Sequence, residues 1–292
     1  MKILIISVIC SLLLFGYYNN GSSVEAKPSI GKIQFAAADS MYLFCSEYNL
    51  LNDKIRDSKI NTADALKSLQ AFIPKIKSEY YKNGGKDYQE SEWCFPVQGY
   101  SAKTIGGRNG SGYIASGFNY LDGKRHVGHP AQDIFIVDKN MDCVEDYLKK
   151  PINVLSMSGG VVVAFDTSWA EGSGLRGGKY VWVYDPFSSS LFYYAHNDKV
   201  FVNPGQLVKP GDSIATVGRT GLNADKKRSP THLHFMWLKL GPDYYPRPVN
   251  PYQSLVKAKL IKFILITNHI NKTVNGNIRR TEDKRNSAPF GR

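Results

Sequence analysis

Apolar positions change their period once along this chain, and the change divides it. Over residues 61 to 73, Leu66, Leu69 and Ile73 recur at helical spacing behind Asn61-Thr62, which can cap a helix with Asp64 in its first turn. Pro74 is expected to end that helix. Residues 27–92 therefore read as a small helical lead-in, its apolar stripe a packing face. The run NGGKD, Asn83 to Asp87, reads as a linker because of Gly84 and Gly85. From Trp93 onward the pattern shortens to β runs: WCFPV, GYIASGF, DIFIV, GGVVVAF, KYVWVY, LFYYAH, SIATVG and THLHFMWL. They are rich in β-branched and aromatic residues and separated by Gly, Pro, Asn and Asp, so residues 93–255 are expected to form a mainly β domain. KYVWVY and LFYYAH form a hairpin around DPFSSS, and VNPGQLVKPGDSIATVG carries two Pro-Gly turns that force tight reversals.

The two ends read differently. MKILIISVICSLLLFGYYNNGSSVEAKPS has Lys2, an apolar run from Ile3 to Phe15 and a small-residue exit at Val24-Glu25-Ala26, the pattern of a secretory signal over residues 1–26. An uncleaved anchor is the alternative, although the run is short for a bilayer span. Residues 256–292 form a basic, flexible tail, within which LIKFILI at 260 to 266 reads as a docking segment, too short to cross a membrane. The expected mature chain has no transmembrane segment and is periplasmic, cell-envelope or extracellular.

Composition adds little to the architecture and more to the partners. Of 292 residues 42% are hydrophobic and 12% aromatic, enough for a packed core. The formal net charge of +12 favours anionic polymers or membrane surfaces without naming one. Beyond the signal the cysteines are Cys45, Cys94 and Cys143, and export permits one disulfide whose pairing the spacing does not give. None lies in a Cys-x-x-Cys arrangement, which argues against cysteine-only zinc binding.

The chemistry concentrates in histidine. THLHF places His232 and His234 two apart on a strand, facing one space while Leu233 and Phe235 pack the other way. Upstream, HVGHPAQDIFIVD holds His129 and Asp133 four apart, an even offset that lets imidazole and carboxylate meet the same ion. His129, Asp133 and one of the 232/234 pair would supply the three protein ligands of a catalytic zinc. His126 competes with His129, but its offset of seven from Asp133 is odd. His196, closing LFYYAH, is placed to exchange protons with a metal-activated water.

HPAQD, YYAHNDKVFVNPGQLVKPGDSIATVGRTG and THLHF, in this order, resemble the LytM/lysostaphin-type zinc metallopeptidases, which cleave peptide bridges of peptidoglycan. The resemblance spans about residues 126 to 250. It implies an antiparallel β-sheet peptidase domain related to the barrel-sandwich hybrid, one Zn2+ per chain on His129, Asp133 and His234, and His196 and His232 as the histidines beside the metal. The implied partner is peptidoglycan peptide and not nucleic acid, and the implied activity is zinc-dependent endopeptidase. Ala131 stands where the family motif carries Gly, so the backbone at that turn is expected to differ. The loop LNADKKRSPT is longer and more basic than usual, and Lys226, Lys227 and Arg228 could meet stem-peptide carboxylates.

Other classes fit less well. A catalytically inactive module that binds the wall and activates other hydrolases would have lost ligands, and every expected ligand position is filled. VKPGDSIATVG resembles part of a biotinyl or lipoyl carrier, yet no modifiable lysine hairpin accompanies it. No Gly-x-Ser-x-Gly supports serine chemistry.

Overall fold

The computed structural model describes residues 38–125 and 127–263. Two helices come first, α1 (Ala38–Arg56) and α2 (Thr62–Lys82). Asn61 caps α2 as its sequence requires, its side-chain oxygen accepting from the Asp64 N–H at 2.9 Å. Pro74 does not end α2, which continues to Lys82. Pro74 has no N–H to give the Gln70 carbonyl, but Gln70 and Pro74 both lie on the exposed face, where water can replace the donor. Leu69, Ile73, Ile76 and Tyr80 stay buried on the opposite face and hold the helix through the break. The NGGKD run is tied down at its middle: the Tyr80 hydroxyl donates to the Lys86 carbonyl at 2.6 Å and accepts from the Lys86 N–H at 3.0 Å.

Nine strands follow among the described residues: β1 (Ala131–Phe135), β2 (Asn153–Leu155), β3 (Gly160–Asp166), β4 (Lys179–Asp185), β5 (Ser190–Asn197), β6 (Leu207–Val208), β7 (Ser213–Thr216), β8 (His232–Leu240) and β9 (Pro246–Val249). Seven make one antiparallel sheet in the order β1-β8-β5-β4-β3-β6, with β9 pairing the far half of β8, while β2 and β7 pair separately. The β4–β5 hairpin forms around DPFSSS, and the Asp185 carboxylate holds its turn by accepting from Phe187 N–H, Ser188 N–H and the Ser188 hydroxyl. A short helix, α3 (Tyr252–Lys257), follows β9.

Each face of the sheet has its own core because strand side chains alternate. Val161, Val163, Trp182, Tyr184, Leu191 and Leu238 pack with α1 and α2 in one cluster. Val162, Val183, Phe192, Leu233 and Phe235 pack on the other side with Trp93, Phe95, β2 and β7. The lead-in helices thus share a core with the sheet.

Two expected strands are not strands. WCFPV makes isolated bridges from Cys94 to Lys259 and from Val97 to Val154, because Pro96 offers no N–H to a continuous ladder. GYIASGF makes a single bridge, Ile114 to His129, and Gly117 turns the chain at φ +75°. The start of the 260–266 run docks as expected, with Gly99 N–H on the Ile261 carbonyl and Phe263 against the second core, while residues 264–266 lie outside the described residues. Residues 1–26 and His126 lie outside them too, as does the tail beyond 263. Cys45, Cys94 and Cys143 are free thiols, so the permitted disulfide is not formed among them, and burial pushes Cys45 up to about 12. No described helix is long and apolar enough to cross a membrane.

Candidate functional site

Strand register assembles the site. In the β1–β8 pair Asp133 lies opposite His234, and in the β5–β8 pair Ala195 lies opposite His234. Alternation along β8 turns His232, His234 and Met236 to the face shared with Asp133. His129 comes just before β1, after Gly128 at φ +86°, where a Cβ would stand 2.6 Å from the Ser116 carbonyl oxygen. Ala131, at the position where the motif elsewhere has Gly, lies in regular β1 opposite Met236, so no turn there needs a glycine.

The Asp133 carboxylate is the hub. Its Oδ1 lies 3.1 Å from His234 Nδ1, 3.2 Å from His129 Nε2 and 3.8 Å from His232 Nε2. Ligand atoms of His129, Asp133 and His234 all fall within 4.8 Å of one another. His196 closes the group, its ring centroid 4.9 Å from that of His232 and 5.4 Å from that of His234. By alternation His196 would turn away from Ala195's face. Its backbone sits instead at φ +65°, next to a register shift between Lys179 and Val181, and this left-handed residue brings the ring round to the other histidines.

Backbone carbonyls set the tautomers. Nδ1 of His129 donates to Gly112 at 2.9 Å, that of His196 to Thr220 at 2.7 Å, and that of His232 to Pro230 at 2.7 Å. A carbonyl can only accept, so each Nδ1 carries a proton and Nε2 is the ring nitrogen left for other partners. Thr220 is itself fixed, its hydroxyl donating to the Asn197 carbonyl and accepting from Lys179 N–H.

Electrostatics sort the members. Burial pushes Asp133 upward, but hydrogen bonds from His129 and His234 and the nearby histidine charges outweigh it and hold the carboxylate well below its usual range. The Asp133 hydrogen bond raises His129. Burial lowers His232, and burial together with His232 and His234 lowers His196 well below its ordinary value. The site therefore holds a lasting carboxylate, with His129 drawn toward its charged form and the buried His196 and His232 toward their neutral forms.

Such a donor set suits zinc, which takes imidazole nitrogen and carboxylate oxygen in tetrahedral geometry. Bonds of about 2.0–2.1 Å give a tetrahedron with edges of roughly 3.3 Å. The contacts of Asp133 Oδ1 with His129 and His234, 3.2 and 3.1 Å, are close to that edge. The group opens into a cavity of about 750 Å³ whose walls include Asn52, Ile55 and Arg56 of α1 and Phe118, Tyr193 and Met236.

Residues 147–251 match the model of Peptidase family M23. The matched segment holds β2 to β9 with His196, His232 and His234, whereas His129 and Asp133 precede it and join through β1. Over 102 residues the chain is 37% identical to a "Lipoprotein NlpD/LppB homolog" of Pseudomonas aeruginosa, a match covering 35% of this chain and 29% of that protein. The chain thus matches under a third of that relative's length. Solved structures with similarity include a zinc containing peptidase from Vibrio cholerae (24% identity, 58% of this chain and 40% of that one, TM-score 0.34). Another is a putative glycyl-glycine endopeptidase lytM from Ruminococcus gnavus (20% identity, 81% and 95%, TM-score 0.40). The catalytic domain of lysostaphin from Staphylococcus simulans is a third (23% identity, 49% and 86%, TM-score 0.32).

All five candidate residues named from sequence, His129, Asp133, His196, His232 and His234, meet in this site. The supporting shell was not anticipated. Gly112, Thr220 and Pro230 act through carbonyls, which have no side-chain signature, and Asn52 and Arg56 come from a helix far away in sequence. Of the basic run, Arg228 lines the cavity while Lys226 pairs with Asp225 at 3.2 Å.

Proposed function

We propose that this chain is an exported zinc metalloendopeptidase that hydrolyses peptide bonds in peptidoglycan stem peptides or cross-bridges. The supporting observation is the convergence of His129, Asp133 and His234 to within 4.8 Å of one another, with two further histidines against them in a cavity. These three residues would hold one Zn2+ per chain. Bound there, zinc supplies Lewis-acid polarisation of a scissile carbonyl and acidifies water. The chain's own groups supply the rest. His196 and His232, each with Nδ1–H committed to a carbonyl, keep Nε2 for exchange: neutral, it accepts a proton from attacking water, and protonated, it donates to the leaving amine or to the developing oxyanion. Burial keeps His196 neutral, the state a proton acceptor needs. Asp133 stays ionised and orients His129 and His234. In this reading residues 93–255 are the peptidase domain, residues 27–92 its helical lead-in, residues 1–26 the signal and residues 256–292 the tail, and the protein works in the periplasm, cell envelope or outside the cell.

The test is metal content by mass spectrometry on the purified mature chain, together with digestion of purified peptidoglycan with and without a chelator. About one zinc per chain and chelator-sensitive release of fragments are expected. Asp133→Ala should lose both zinc and hydrolysis, and His196→Ala should keep zinc and lose turnover. Hydrolysis by a verified metal-free Asp133→Ala protein would refute the assignment. Absence of stoichiometric zinc in the native chain would favour a wall-binding module that activates other hydrolases.

A further inference from the structure

The charges lining the cavity are unbalanced. Arg56, Lys124, Arg176 and Arg228 contribute cations, and Asp57 and Asp133 contribute carboxylates. Both carboxylates are committed. Asp57 faces Arg56 Nε at 2.9 Å and Lys59 Nζ at 3.2 Å, and Asp133 is held among the histidines. Arg56 is also committed, 2.9 Å from Asp53 and 2.6 Å from Asp166, so it serves the wall and not a ligand. The balance left at the mouth is positive. Lys124 and Arg228 are exposed side chains from two separate segments, the turn Tyr120–Arg125 and the loop before β8. Arg228 makes only a 3.5 Å contact with Asn223 Oδ1, and neither it nor Lys124 has a carboxylate partner among the described residues. Half-buried Phe118, Phe135 and Tyr193 form the apolar part of the lining.

Low-dielectric walls beside like-signed charges focus a field into a cleft. We infer that this cavity selects peptides with a free carboxylate near the scissile bond over uncharged bridges such as runs of glycine. The inference rests on the peptidase reading and narrows its substrate class. An uncharged bridge gains nothing from Lys124 and Arg228, and one without side chains leaves Phe118 and Tyr193 uncovered. An acidic peptide meets opposite charge on entry and an aromatic wall beside the histidines.

Twin peptides of identical sequence, one bearing a carboxylate and the other its primary amide, test this directly. They are compared by kcat/KM on the full chain and, independently of turnover, by fluorescence-anisotropy binding to the chelated protein. The acid twin should be preferred about ten-fold at 0.1 M salt, with the preference shrinking toward 1 M as screening shortens. Arg228→Gln and Lys124→Gln should each reduce the preference about three-fold. Lys227→Gln, on the same loop but outside the lining, should leave it unchanged. Equal binding and cleavage of the twins, a preference indifferent to both substitutions, or a pentaglycine peptide cut as fast as the acid twin would overturn the inference. If the acid twin binds better and neither is cut, the selectivity stands and the peptidase reading fails.

Discussion

Leu69→Ala asks whether the helices and the sheet melt as one body. Leu69 is fully buried, in the same cluster as Leu51 and Ile55 of α1 and Trp182 and Met236 of the sheet. Truncation leaves a void in that cluster, at a cost of about 3 kcal/mol within a range of roughly 2–5. For a folded region of roughly 150–250 residues each kcal/mol moves Tm by about 2–4 °C, so a fall of about 6–12 °C is expected. The assay is thermal unfolding followed at once by far-UV and near-UV circular dichroism. α1 and the aromatic layer are directly joined, since Asn52 donates to the Tyr180 hydroxyl at 2.8 Å and accepts from Tyr120 at 3.0 Å. Both signals should therefore fall together at the lowered temperature. If the helical signal melted early while the near-UV transition stayed at its wild-type temperature, the helices would be an independent lead-in and the reasoning would be wrong. The same packing makes α1 a wall of the cavity and not a detachable cover. A chain trimmed through residue 89 should aggregate, because Val161, Val163 and Trp182 would lose their covering.

Three further outcomes can be checked. Gly221 sits at φ +118°, with a would-be Cβ 2.9 Å from His196 Nδ1 and 2.5 Å from the Arg176 carbonyl oxygen. Gly221→Ala should displace His196 and cut kcat on the order of 100-fold while metal content is unchanged; a variant with native kcat would show that His196 does not need this support. Metal loading should stabilise the fold by about 4 kcal/mol at a thousand-fold excess over Kd, read as a rise in Tm that a chelator reverses, and an unchanged Tm would argue against the three-residue site. In the metal-free protein, the depressed folded values of His196 and His232 mean that the unfolded chain takes up more protons below pH 6.5, so stability is lost as pH falls from there. His129 has a raised folded value, so its contribution is complete below 6.5 and lost as pH rises through that value. Urea unfolding should thus give a maximum near pH 6.5, and a stability that kept rising on acidification to pH 5 would contradict the assignments.

The β runs were legible in the sequence because their side chains meet a core on each face, and THLHF betrayed itself by placing two histidines where that alternation predicts an apolar pair. The misreadings have separate causes. Pro96 and Gly117 sit inside runs whose composition is otherwise strand-like, and each removes what a ladder needs, an N–H in one case and an extended backbone in the other. Pro74 misled in the opposite direction, since tertiary burial of Leu69, Ile73 and Ile76 outweighed its local penalty. β9, with Pro246 and Pro248, carried too many prolines to be read as a strand, yet it pairs β8 from an edge, where a missing N–H can be tolerated. His196 was recognisable as chemistry but not as strain, because no local signal marks a left-handed histidine. The carbonyls of Gly112, Thr220 and Pro230 were invisible for the reason that every residue has one.

The candidate ligand set itself depends on register more than on any one motif. His129 and Asp133 stand upstream of the segment that matches family M23, and His234 stands within it, about a hundred residues later. What joins them is the antiparallel pairing of β1 with β8, in which Asp133 faces His234 while Ile134 and Leu233 turn to the second core. A slip of one residue would drive the carboxylate into that core and bring Ile134 to the histidines, so the two apolar side chains also guard the geometry of the candidate site. The buried Gln132 adds a second lock, donating to the Gly110 carbonyl at 2.9 Å and to Asn250 Oδ1 at 3.0 Å. Gln132 touches none of the five site residues through these bonds, yet it lies beside Asp133 on the strand whose position decides the ligand set. Gln132→Leu should therefore weaken zinc retention while leaving all five side chains in the sequence, measured by competition with a chelating dye. Zinc affinity equal to wild type would mean that Ile134 and Leu233 hold the register without it.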